Sequence, residues 1–125
     1  MLKKYTPELK KISMGILTYN DRRIKTSKLQ MKIDQLTNND DNELYLWSGP
    51  DKHYDGLISI EKYDESLVIV KDIILRNNFK NTAGYNSVLN DLQAQMKQKK
   101  ILGAEKLKDI FIKWEKTQNK TLVTN

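Results

Sequence analysis

Residues 67–75 read Leu-Val-Ile-Val-Lys-Asp-Ile-Ile-Leu, an apolar run interrupted only at Lys71-Asp72. The run is short and apolar on both faces of an extended chain. It therefore predicts a central strand whose sheet is covered by helices on both sides. A polar stretch, Arg76 to Thr82, comes next. Tyr85, Val88, Leu89, Leu92 and Met96 then recur at helical spacing and predict a helix over 84–97, and Ile101-Leu102 opens a short strand at 101–103. Two strands joined in this way by a helix are expected to be parallel neighbours with a right-handed connection.

The remaining segments build around this unit. Residues 1–5 fit an edge strand, and Thr6-Pro7-Glu8 is a helix start: a capping hydroxyl, a proline at the first turn and an acid at the positive end. Leu9, Ile12, Ile16 and Leu17 carry that helix to about Tyr19, with Gly15 inside it expected to mark close packing. Leu29, Ile33 and Leu36 predict a second helix over 26–37. Strands follow at 44–47, at 56–63 and at 67–75, the first two parted by the turn residues Ser48-Gly49-Pro50-Asp51. Phe111 and Trp114 belong to a last amphipathic helix, and Leu122-Val123 are short enough to end the chain as a strand. The order is β-α-α-β-β-β-α-β-α, an α/β (α+β) arrangement with a mixed central sheet flanked by helices, in one domain over residues 1–125.

Composition narrows the function. The chain has 125 residues and no cysteine, which excludes a disulfide framework, a cysteine nucleophile and thiolate metal sites. Its one histidine, His53, stands beside a turn, and the scattered carboxylates have no metal-ligand spacing, so no metal is expected. No apolar run approaches the roughly 20 residues of a membrane span, and no leader pattern follows Lys3-Lys4, so the expected compartment is the cytoplasm and no membrane partner is expected. The net charge of +6 suits a polyanionic ligand. The basic residues are interleaved with acids, however, and no recognition motif appears, so nucleic acid is disfavoured. The one dense basic run, Lys97-Gln98-Lys99-Lys100, is read as a solvated helix end.

The element order resembles that of the GNAT acetyltransferase superfamily. Within it the sequence is similar to the RibT-type proteins encoded with riboflavin-biosynthesis genes in Gram-positive bacteria. The similarity spans about residues 1–115 and is carried by Ile12-Ser13-Met14-Gly15-Ile16-Leu17, Leu44-Tyr45-Leu46-Trp47, Gly56-Leu57-Ile58-Ser59-Ile60-Glu61-Lys62, and the strand–loop–helix from Val68 to Leu92. The family pattern after the fourth strand is Arg/Gln-x-x-Gly-x-Gly/Ala. There, backbone N–H groups at a helix start meet the pyrophosphate of acetyl-CoA and glycine lets the backbone come close. Aligned without gaps, this chain has Lys80-Asn81-Thr82-Ala83-Gly84-Tyr85, with Ala83 on the first glycine and Tyr85 on the small second position. A one-residue slip puts Gly84 and Asn86 there instead; the gapless register keeps Val88, Leu89 and Leu92 on the core face. The resemblance implies acetyl-CoA as co-substrate, its pantetheine arm beside Ile73, Ile74 and Leu75, its phosphates over Lys80 to Tyr85, and an amine acceptor that is a small molecule or a protein. It leaves monomer or homodimer open. A plain strand-to-helix connection, for which Asn, Thr and Gly are also suitable residues, stays as the alternative.

N-acetyl transfer needs a base within reach of the amine. Asp72 breaks the apolar run, and a carboxylate there needs a partner or a raised pKa; Glu61 closes the preceding strand. Both are candidates, with a merely solvated carboxylate as the alternative for each. Lys71 faces away from Asp72 in an extended strand and is not expected to be its partner. The tyrosine that often serves as the acid on the last helix of the family is missing, since Phe111 and Trp114 read as core. Two function classes therefore stay in play: an N-acetyltransferase, and a GNAT-fold protein that is catalytically weak or inactive and binds CoA or a protein partner.

Overall fold

A computed structural model describes residues 1–123. Strand β1 (Leu2–Lys4) leads through a 3-10 turn at Pro7–Leu9 into helix α1 (Lys10–Leu17) and then α2 (Thr26–Thr37). Strands β2 (Asn42–Ser48), β3 (Tyr54–Lys62) and β4 (Leu67–Leu75) follow, then helix α3 (Thr82–Gln95), strand β5 (Lys100–Gly103) and helix α4 (Lys108–Val123). The sheet runs β1-β2-β3-β4-β5; the first three pairings are antiparallel and β4 with β5 is parallel.

The alternation of the strands sorts their side chains into two cores. Tyr45, Trp47, Ile58, Ile60, Val68, Val70, Ile73 and Leu75 meet Val88, Leu89 and Leu92 of α3 and Phe111 and Trp114 of α4. On the other face Leu44, Leu46, Leu57 and Ile74 meet Ile16 and Leu17 of α1 and Leu29 and Ile33 of α2. The central strand is thus apolar on both faces because both are covered. Phe111 and Trp114 are core residues packed edge to face, and the Trp114 indole N–H donates to Asn90 at 2.8 Å.

Four local expectations are corrected. Thr6 caps through its carbonyl, which accepts from Leu9 at 2.8 Å, and its hydroxyl makes no cap bond. Leu122 and Val123 continue α4 instead of forming a strand, because no Gly or Pro interrupts residues 108–123. Helix α3 stops at Gln95, so Lys97 and Lys99 lie in the turn beyond it and Lys100 opens β5. Gly15 is exposed, and a Cβ there would meet no atom within 4 Å, so close packing is not what it serves.

The β2–β3 hairpin hides a carboxylate. Asp55 is 0% exposed, beneath Gly49, with Arg76 Nε at 3.5 Å from its Oδ1. Arg76 also lies over the Tyr19 ring, 5.8 Å from its centroid. Burial pushes the Asp55 carboxyl above the ordinary range and the facing Asp51 adds to this, against the pull of Arg76. Such a group binds its proton more tightly in the folded state. Its contribution is fully present below the ordinary aspartate value of about 4 and is lost as pH rises through the raised folded value. Two outcomes are expected from chemical denaturation. Gly15→Ala should raise stability by up to about 1 kcal/mol, because alanine is the better helix former and has room here. Asp55→Asn should gain stability relative to the parent progressively as pH is raised from about 4 towards 7.

Candidate functional site

The parallel ladder between β4 and β5 covers half of β4. It runs from Leu67 opposite Lys100 to Val70 opposite Gly103, and the Ala104 N–H closes it with a 2.9 Å bond to the Val70 carbonyl. The chain then turns through a 3-10 turn, Glu105–Leu107, into α4. A side chain at Gly103 would collide with the Phe111 ring, so glycine is what lets α4 cross so close. From Lys71 to Leu75 the β5-facing edge of β4 has no ladder partner among the described residues. On the β3 side, the register passes from Ile60 opposite Val70 to Ser59 opposite Asp72, which leaves Lys71 as the extra residue of a bulge at the start of this open stretch.

At the far end of the opening stands the start of α3. Asn77–Phe79 form a 3-10 turn, and Asn81 caps α3 by accepting the Gly84 N–H at 2.8 Å. The N–H groups of Thr82 and Ala83, in the first helical turn, precede any intrahelical acceptor, and both residues are exposed, as is Lys80. A Cβ on Gly84 would collide with the Phe79 carbonyl, so that glycine is required by the turn itself. Tyr85 is half-buried and packs against the α3-side core; burial and, secondarily, the charge of Asp72 raise its hydroxyl pKa. A cavity of about 190 Å³ lies against the cap Asn81, Thr82, Tyr85 and Asn86 of α3, and Asp109, Ile110 and Lys113 of α4, so that an acid and a lysine both border it. The Asn86 Oδ1 is buried without a hydrogen-bond partner among the described residues. This is the anion-receptive geometry of a helix N-terminus beside an open strand edge.

Asp72 lies midway along β4 on the α1–α2 face, next to Ser59 in register. Its Oδ1 accepts the Ile73 N–H at 3.0 Å and its Oδ2 lies 3.1 Å from Lys106 Nζ, reaching over from the 3-10 turn after β5. Lys71, exposed in the bulge, is not its partner. Glu61 shares this face but sits opposite Ile69, towards the end where the ladder is closed. Ile73 and Leu75 point into the α3-side core and Ile74 into the other, so at the open edge they present main chain alone. Asp72 and the main chain of Ile73 to Leu75 share the unladdered stretch of β4, the 80–85 segment follows it in the chain, and Glu61 lies further off. Lys106 is the member that sequence reasoning missed: one lysine among many, it gains its place from where β5 ends. Arg76, Tyr19 and His53 line a separate cleft on the α1 side. Among the described residues no group of histidines and carboxylates is placed to hold a metal, and no helix is long and apolar enough to cross a membrane.

No protein-family model and no curated protein sequence matches the chain. Solved structures do. A chimera of the spermidine N-acetyltransferase SpeG from Vibrio cholerae and hSSAT superposes with a TM-score of 0.65 at 10% identity, over 93% of this chain and 78% of that one. AAC(6')-Iy, in complex with a bisubstrate analog built on CoA, gives 0.59 at 9% identity over 83% and 78%. An aminoglycoside 6'-N-acetyltransferase complexed with coenzyme A gives 0.56 at 9% identity over 76% and 54%. At such identities the likeness speaks to architecture: the five-stranded mixed sheet with its flanking helices matches the GNAT acetyltransferase fold.

Proposed function

We propose that the chain is an acyl-CoA-dependent N-acetyltransferase that moves an acetyl group from acetyl-CoA to an amine. The observation that carries this reading is the half-length ladder: a β4 edge unpaired from Lys71 to Leu75, ending at a helix N-terminus. An arm rich in amides can pair with that edge like an added strand. In this reading pantetheine runs beside Ile73, Ile74 and Leu75. The diphosphate meets the Thr82 and Ala83 N–H groups, with Lys80 adding charge, Asn81 and Gly84 shaping the turn and Tyr85 beside the arm. Asp72 is the candidate base, and Glu61 a second carboxylate on the acceptor face. The acceptor is a small-molecule or protein amine, in keeping with the spermidine and aminoglycoside acetyltransferases that share the fold. The RibT-type sequence resemblance makes flavin-related amines the first acceptors to try.

One observation favours a weaker enzyme or a CoA-binding protein without turnover. Asp72, the candidate base, is already paired with Lys106, so an amine must compete for it.

Calorimetry with CoA tests the cofactor site. Lys80→Ala should weaken binding by about fivefold at low salt, the size of an exposed ion pair, with the difference shrinking as salt screens it. Absence of binding to the parent would overturn the reading. Binding that is indifferent to Lys80→Ala at every salt concentration would overturn the register that puts the phosphates over this loop.

A further inference from the structure

We infer that Lys106 is itself an acetyl acceptor, so that the chain modifies the lysine on the lip of its own site. The inference rests on the transferase reading above and adds a residue and a chemical event to it.

The chain leaves β5 at Gly103, is pinned to Val70 through the Ala104 N–H, and two residues later carries Lys106, whose side chain reaches Asp72 of β4. Its Nζ comes to 3.1 Å from the Asp72 Oδ2, within the distance at which a base takes a proton from an amine. The side chain is 60% exposed. Its long stem lets the nitrogen swing by a few ångströms.

With the diphosphate at the start of α3, the pantetheine arm runs back along β4 from Leu75 towards Asp72. The ladder closes at Val70. The thioester end therefore stops beside Asp72, and the amine held there is that of Lys106. Lys71 is exposed in the bulge, and Lys108 lies a further two residues along at the start of α4; neither has an ion pair with Asp72 among the described residues.

The chemistry balances. Asp72 takes one proton from the Lys106 ammonium, and the freed Nζ lone pair attacks the thioester carbonyl carbon. The C–N bond forms, the C–S bond breaks, and the thiolate of CoA leaves with the electron pair and is protonated. The second nitrogen proton is lost to water. Lys106 ends as a neutral amide, and the ion pair that occupied Asp72 is gone. Because amine and base belong to one chain, the step is unimolecular in the bound complex and gains from proximity.

Intact-mass measurement of the purified chain incubated with acetyl-CoA, followed by peptide mapping, tests this. One acetyl group is expected, on Lys106, at a rate independent of protein concentration and faster than on Lys71 or Lys108. Lys106→Arg should abolish the fast phase and Lys108→Arg should leave it intact. Asp72→Asn should slow it by about a hundredfold, the low end of what a general base contributes. Calorimetry on each variant, with CoA as the titrant, separates the two readings. If CoA binds and added amines are acetylated while Lys106 reacts no faster than Lys71 or Lys108, the inference falls and the transferase stands. If CoA does not bind, both fall. A rate that rises with protein concentration would mean transfer between molecules and would also overturn the intramolecular assignment.

Discussion

The hydrogen bond from the Ala104 N–H to the Val70 carbonyl is the point on which the rest of the site turns. Up to it, β4 and β5 are an ordinary parallel pair. Beyond it β5 has ended, the chain has bent into a 3-10 turn, and Phe111 has come down against Gly103. A β5 longer by a few residues would zip the pair shut along the whole of β4. The bulge at Lys71 falls at the same level and changes which face the following residues present, setting Asp72 on the α1–α2 face beside Ser59. The open edge and the lysine opposite Asp72 follow from where one strand stops, and the face of the carboxylate follows from the bulge beside it.

Much of this framework was legible in the sequence. The apolar run of β4 pointed to a doubly covered strand, and the periodicity of Leu29, Ile33 and Leu36 placed α2 correctly. The strand–loop–helix that positions the candidate cofactor site was visible for the same reason, as a switch from a buried extended run to helical spacing. What escaped depends on contacts between distant segments. Asp55 sits in the polar string Asp51-Lys52-His53-Tyr54-Asp55 and looks solvated, yet the hairpin folds over it. Gly15 looks like a packing contact because glycine in a helix is costly, yet its surroundings are open. Lys106 has no local pattern at all.

The loop before α3 also reads differently in three dimensions. By pattern, Ala83 and Tyr85 are departures from glycine and a small residue. In the fold, Gly84 is the position that cannot carry a side chain, because the turn brings the Phe79 carbonyl against it. Tyr85 directs its ring to the α3-side core, where Trp47 and Phe79 also meet edge to face. A large residue is accommodated there by packing inward, and Thr82 and Ala83, whose N–H groups lead α3, stay exposed. The altered pattern is therefore compatible with an intact helix N-terminus.

The unpaired edge of β4 is made of peptide groups, and that has an evolutionary reading. In solution such groups are hydrogen-bonded to water, and an incoming chain of amides exchanges those waters for its own groups with little net change in bonding. Selection can hold such a contact only through strand geometry, since every residue type but proline offers the same donor and acceptor. Side chains at Ile73, Ile74 and Leu75 are then free to drift with the cores they fill. An edge of this kind is written in the shape of a chain and not in its letters.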